Sequence, residues 1–114
     1  MCIRDSFIEC TPEVPFLQIG ETKYGKPVID RALAHDTELY EAMKIGLISF
    51  NSTMRSNLAV GMPIDAITLR EGATGIELSC RIEAHDPYWR ELGERWSTAL
   101  RQAQASIPRP PYAP

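Results

Sequence analysis

The chain has 114 residues, room for one domain at roughly 100–200 residues each, and its 44% hydrophobic and 24% charged composition is that of a globular protein rather than a disordered one. No apolar run approaches the ~20 residues that a membrane span needs, so no membrane association is expected. Twelve Lys and Arg against 15 Asp and Glu leave a net charge of −3 with the basic residues scattered, which argues against a nucleic-acid partner. Cys2, Cys10 and Cys80 are odd in number and show no CxxC spacing, so a reduced, cytoplasmic setting fits better than a disulfide framework or a zinc site. Met1 to Ser6 is polar and lacks the apolar core of a secretory signal.

In chain order, Phe16-Leu17-Gln18-Ile19 follows a breaker-rich approach and stops at Gly20, which predicts a short buried strand. Pro27 suits the first turn of a short helix through Leu33, because its missing N–H costs nothing there. Leu39, Met43, Leu47, Phe50 and Met54 recur at three and four residues, which predicts a helix capped by Asp36 and running to about Arg55. The segment from Ile64 to Leu69 reads as a strand covered on both faces. Ile76, Leu78, Cys80 and Ile82 alternate with polar residues as in a half-buried strand, and the Gly-containing turn between the two predicts a hairpin. Asp86-Pro87 starts a last helix whose apolar face is Trp89, Leu92, Trp96, Leu100 and Ala103. Residues 107–114 hold four of the nine prolines, so that tail is expected to be extended.

Several constellations invite chemistry. The stretch from Gly20 to Lys26 matches a GxxxxGK phosphate loop, but Pro27 stands where the loop needs a hydroxyl and an N–H, and Glu21 opposes an anion. A structural strand-to-helix turn is the simpler reading, with nucleotide binding as the alternative. His35-Asp36 and His85-Asp86 each precede a helix, where Asp caps and His merely leads in; metal binding would require them to converge. Two PxxP spacings in the tail, Pro108 to Pro111 and Pro111 to Pro114, are of a kind that SH3-type partners read. Ser49, Ser52, Thr53, Ser56 and Asn57 gather at the end of the central helix, where they either terminate it or arrange hydroxyls toward a site.

Two long blocks, Phe16-Leu17-Gln18-Ile19-Gly20-Glu21-Thr22-Lys23-Tyr24-Gly25-Lys26-Pro27 and the run from Ser49 through Asp65, resemble the C-terminal half of the bacterial proteasome-type peptidases called Anbu, relatives of HslV and of proteasome β-subunits. The Asp86-Pro87-Tyr88-Trp89 helix start and the Pro-rich end agree with it. The resemblance implies an α+β fold, part of an αββα N-terminal-nucleophile sandwich with antiparallel strands and helices, and identical subunits assembled into a ring or spiral. It implies threonine-type peptide hydrolysis, in which an N-terminal Thr attacks the amide carbonyl and its own α-amino group acts as base. In the family the nucleophile and its Lys belong to the N-terminal half, so this stretch is expected to carry no catalytic residue and to be inactive alone. Cofactors and metals are not expected.

By the same resemblance, Gly20 and Glu21 lie in the loop beside the nucleophile, and Asn51, Ser52 and Ser56 support the active site from the helix end. Asn51 stands where an Asp is expected, which removes a charge-assisted acceptor. Backbone carbonyls at Phe50, Thr53 and Ser56 are implied as a cation loop. The expected organisation is a non-native-looking, adapter-like head (1–6), the peptidase half-domain (7–106) and the extended tail (107–114). The rival function is a non-catalytic interaction half-domain that presents its Trp-containing helix and tail to a partner.

Overall fold

The computed structural model describes residues 2–3, 6–7, 9–20, 22–112 and 114. Cys2–Ile3 (β1) and Ser6–Phe7 (β2) form a minimal antiparallel pair. Residues 9–20 have no regular structure, and the expected strand at Phe16 to Ile19 does not form. A strand needs a hydrogen-bonding neighbour, and no described segment pairs with this one. Ile19 accordingly stands 75% exposed.

Lys26–Ala32 (α1) is the short helix that Pro27 predicts, with the proline in its first turn and the Leu33 N–H donating to the Ile29 carbonyl. Leu39–Ser56 (α2) has the expected length but a different cap. The Glu38 carboxylate accepts from the Tyr40 and Glu41 N–H groups at 3.0 Å each, whereas Asp36 lies in the preceding turn. That turn is closed by the Thr37 N–H on the Ala34 carbonyl and the Ala34 N–H on the Thr37 hydroxyl.

Ile64–Leu69 (β3) and Ile76–Ile82 (β4) make the predicted antiparallel hairpin, with Ile64 opposite Ile82 and Ala66 opposite Cys80. A bulge at its far end opposes Thr68 to Leu78 and Leu69 to Ile76, which leaves Glu77 as the extra residue. The bulge breaks the expected alternation: Leu78, Cys80 and Ile82 turn inward, while Ile76 is exposed. β3 is also covered on one face only, since Ile64 and Thr68 are buried but Ile67 and Leu69 face outward.

Pro87–Ser106 (α3) starts as predicted, the Asp86 carboxylate accepting the Trp89 N–H at 3.0 Å. The core lies where α2 and α3 cover the inner face of the hairpin. It consists of Leu47, Ile64, Ile82, Trp89 and Leu92, with Met43, Met54 and Cys80 around it. Only the first half of α3 takes part. Leu100 and Ala103 are exposed, so the predicted apolar face outruns the surface it packs on. Among the described residues the fold is α+β, three helices with one two-stranded antiparallel sheet beside the small terminal pair.

Candidate functional site

The loop that follows Gly20 folds against the C-terminal end of α2. Gly20 has φ +88°, a left-handed conformation that favours glycine and reverses the chain there. At the other end of the loop, Gly25 is buried against α2. A Cβ on Gly25 would fall on the Ser49 Oγ, 2.6 Å from the Thr53 Oγ1 and 3.1 Å from the Ser49 carbonyl. The absence of a side chain therefore lets the start of α1 seat on the hydroxyl face of α2.

That seating forms a polar groove of about 450 Å³, lined by Gly20, Thr22, Lys23 and Tyr24 on one side and Ser56 and Asn57 on the other. Asn57 ends α2, its N–H donating to the Thr53 carbonyl at 2.8 Å. Its side-chain oxygen accepts the Ala59 N–H at 3.0 Å, a local turn that carries the chain away from the groove. Residues that carry hydroxyls, a carboxamide and an ammonium group thus line one groove, side chains of a kind that can hold the carbonyl oxygens and N–H groups of a peptide. Beside it, an apolar cavity of about 500 Å³ lies between residues 16–19, α1 and α2, with Phe16, Ile29, Ile45, Phe50 and Thr53 among its walls.

Of the residues expected at the site, Gly20 and Ser56 come together. Glu21 lies outside the described residues. Asn51 is turned away to the α2/α3 contact, where its carboxamide nitrogen is 3.0 Å from the place a Cβ on Gly93 would take and its buried oxygen has no hydrogen-bond partner. Ser52 is half-buried on α2 and lines neither the groove nor the cavity. Phe50, Thr53 and Ser56 belong to α2 rather than to a loop, and the Thr53 carbonyl already accepts a helix-ending hydrogen bond. Asn57, one of the polar residues gathered at the end of the central helix, joins the groove, as do Thr22, Lys23 and Tyr24, which the sequence offers only as part of the GxxxxGK stretch.

Lys26 of the GxxxxGK stretch pairs with Asp30 at 3.4 Å within α1. Among the described residues no three His, Cys, Asp or Glu side chains gather to hold a metal, and no helix is long and apolar enough to cross a membrane. The strongest electrostatic cluster sits at the N-terminal end of α2, about 24 Å along the helix from Ser56 at 1.5 Å per residue. There the Arg70 guanidinium donates to both Glu77 oxygens at 2.8 and 3.0 Å, and the Tyr40 hydroxyl donates to the same carboxylate at 2.5 Å. Arg70, and then Tyr40, hold the Glu77 carboxyl down at about 2. The same carboxylate pushes the Tyr40 hydroxyl up.

Neither a protein-family model nor a curated protein sequence matches the chain. Solved structures do. Anbu from Hyphomicrobium sp. strain MC1 is 50% identical over 92% of this chain and 45% of its own, with a TM-score of 0.88. Anbu, the ancestral β-subunit, from Yersinia bercovieri is 41% identical over 96% of this chain and 47% of its own, with a TM-score of 0.90. The helical assembly of the Anbu complex from Pseudomonas aeruginosa is 43% identical over 96% and 45%, with a TM-score of 0.85. The chain spans less than half the length of each of these relatives. Identity at this level along almost the whole chain, with TM-scores of 0.85–0.90, means that the chain corresponds to the C-terminal half of an Anbu-type protein with a proteasome-like fold.

Proposed function

We propose that this chain is the supporting half of a threonine-type peptidase subunit. The observation that carries this reading is the polar groove in which the Gly20 loop meets Ser56 and Asn57. On this reading Thr22, Ser56 and Asn57 steady a peptide and an N-terminal nucleophile supplied by the remainder of the subunit, while the apolar cavity beside Phe50 receives a side chain. The residues present here hold and orient; the attack on the amide carbonyl and the transfer of its proton belong to the Thr hydroxyl and its α-amino group. Asn51 acts in helix packing, and the groove does not depend on it.

The reading extends to organisation and setting. Residues 7–106 form the half-domain, 1–6 a segment foreign to it and 107–114 an extended tail. Identical subunits assemble, as in the helical Anbu complex of Pseudomonas aeruginosa, and the working compartment is the cytoplasm. Peptides or proteins are the substrates.

The test is hydrolysis of fluorogenic peptides by two samples. One is the 114-residue chain; the other is the same chain joined to the N-terminal half of Hyphomicrobium Anbu. The chain alone should release no fluorophore, whereas the joined subunit should turn over, lose activity when its α-amino group is blocked, and slow when Ser56 is changed to Ala. Turnover by the chain alone, or a joined and folded subunit that stays silent on a broad peptide library, would overturn the proposal.

A further inference from the structure

The close approach at Gly25 lies inside the chain, and its burial can only deepen when the remainder of a subunit is added. Ser49, Thr53 and Ser56 recur at four and three residues, so they share one face of α2. Ser49 and Thr53 are buried there, at positions where a packed helix ordinarily carries larger apolar side chains. The Thr53 hydroxyl donates to the Ser49 carbonyl at 2.9 Å, so its donor is satisfied without any contribution from α1. Two small side chains thus leave a notch in α2, and Gly25 is seated in it. The notch does not yield easily. The Ser49 hydroxyl can rotate, but the Thr53 Oγ1 is tied by its hydrogen bond and the Ser49 carbonyl is backbone.

Gly25 also starts α1, its carbonyl accepting the Val28 N–H at 3.1 Å, and it lines neither the polar groove nor the apolar cavity. The groove wall from Thr22 to Tyr24 immediately precedes it, and Ser56 on the opposite wall lies one turn beyond Thr53. One buried contact therefore ties both walls to each other. We propose that Gly25 is a positioning residue for peptide hydrolysis: seated between Ser49 and Thr53, it sets the distance from Thr22 and Tyr24 to Ser56 and acts on a bound peptide through them. A methyl group at this position cannot enter the notch, so the start of α1 and the loop before it must lift from α2. A misplacement of about 1 Å is enough to cost a reaction on the order of 100-fold.

This role rests on the peptidase reading above, and the experiment separates the two. The joined subunit, with and without Gly25→Ala, is assayed for peptide turnover and for acylation of its N-terminal Thr by a small β-lactone, read by mass spectrometry. The lactone is too short to span the groove, so its reaction reports the nucleophile and not the grip on a peptide. Gly25→Ala should lower kcat/KM for peptides by at least about tenfold while acylation stays within about threefold. Adding Ser49→Ala removes the hydroxyl on which the new Cβ falls, and should recover at least about threefold of the lost kcat/KM. A purely structural role would lower both rates together, in proportion to the folded protein. Should Gly25→Ala not fold, Ser49→Thr crowds the same notch from α2 and must show the same split. Equal loss of both rates, no loss of either, or no recovery in the double variant overturns the assignment of Gly25 and leaves the peptidase reading standing. An unsubstituted joined subunit that folds and stays silent overturns both.

Discussion

Gly25 is the residue on which the geometry of the groove turns. With a Ser49 hydroxyl at the position of any Cβ and the Thr53 Oγ1 at 2.6 Å, Gly25→Ala should destabilise the chain by about 1–3 kcal/mol, the usual cost of overpacking. Urea unfolding measures it, and the Gly25→Ala, Ser49→Ala double variant should recover part of the loss. Glu77 makes a second residue-scale prediction. Its folded carboxyl is held at about 2 against an ordinary 4.5 by Arg70 and Tyr40, so its contribution to stability is complete above the unfolded value. It is lost as pH falls from about 4.5 through about 2. Glu77→Gln should flatten stability against pH in that window and leave the slope above pH 6 unchanged, as acid titration of the urea midpoint would show.

At the scale of elements, the sequence was most legible where one periodicity governed a long segment. The 3.6-residue recurrence through Leu39, Met43 and Leu47 and through Trp89, Leu92 and Trp96 yields α2 and α3, and the alternation through Leu78, Cys80 and Ile82 with the Gly-containing turn before it yields the hairpin. Asp86→Ala should therefore cost about 1 kcal/mol through loss of its cap on the Trp89 N–H. Leu92→Ala, at the centre of the α2/α3 contact, should cost about 2–5 kcal/mol. Thermal unfolding of the two variants would rank them. What stayed illegible depended on neighbours distant in sequence. Phe16 to Ile19 has strand composition but no partner beside it, and composition cannot announce an absent partner. Asn51 and Ser56 both read as helix-end polar residues, yet five residues of helix turn through about 140°. One therefore meets α3 and the other meets the Gly20 loop. Only the backbone path of that loop decides which of the two belongs to the groove.

At the scale of the whole molecule, the described residues leave one face of the hairpin open, with Ile67, Leu69 and Ile76 each about 60% exposed. Contiguous exposed apolar surface of this kind marks a contact. Ile67→Lys should lower binding of the dye ANS and reduce aggregation of the 114-residue chain while shifting its unfolding midpoint little. A large loss of stability would instead show that the face is already covered. Among the described residues the hairpin also pairs only with itself, and that has a dynamic consequence. In an antiparallel pair of strands the residues bond inward alternately, so about every second amide of β3 and β4 points to a free edge. Deuterium should therefore enter this hairpin in a comb, fast and slow amides alternating as far as the bulge at Glu77. A strand contributed from outside would silence one set of teeth, and so identify which edge it had joined.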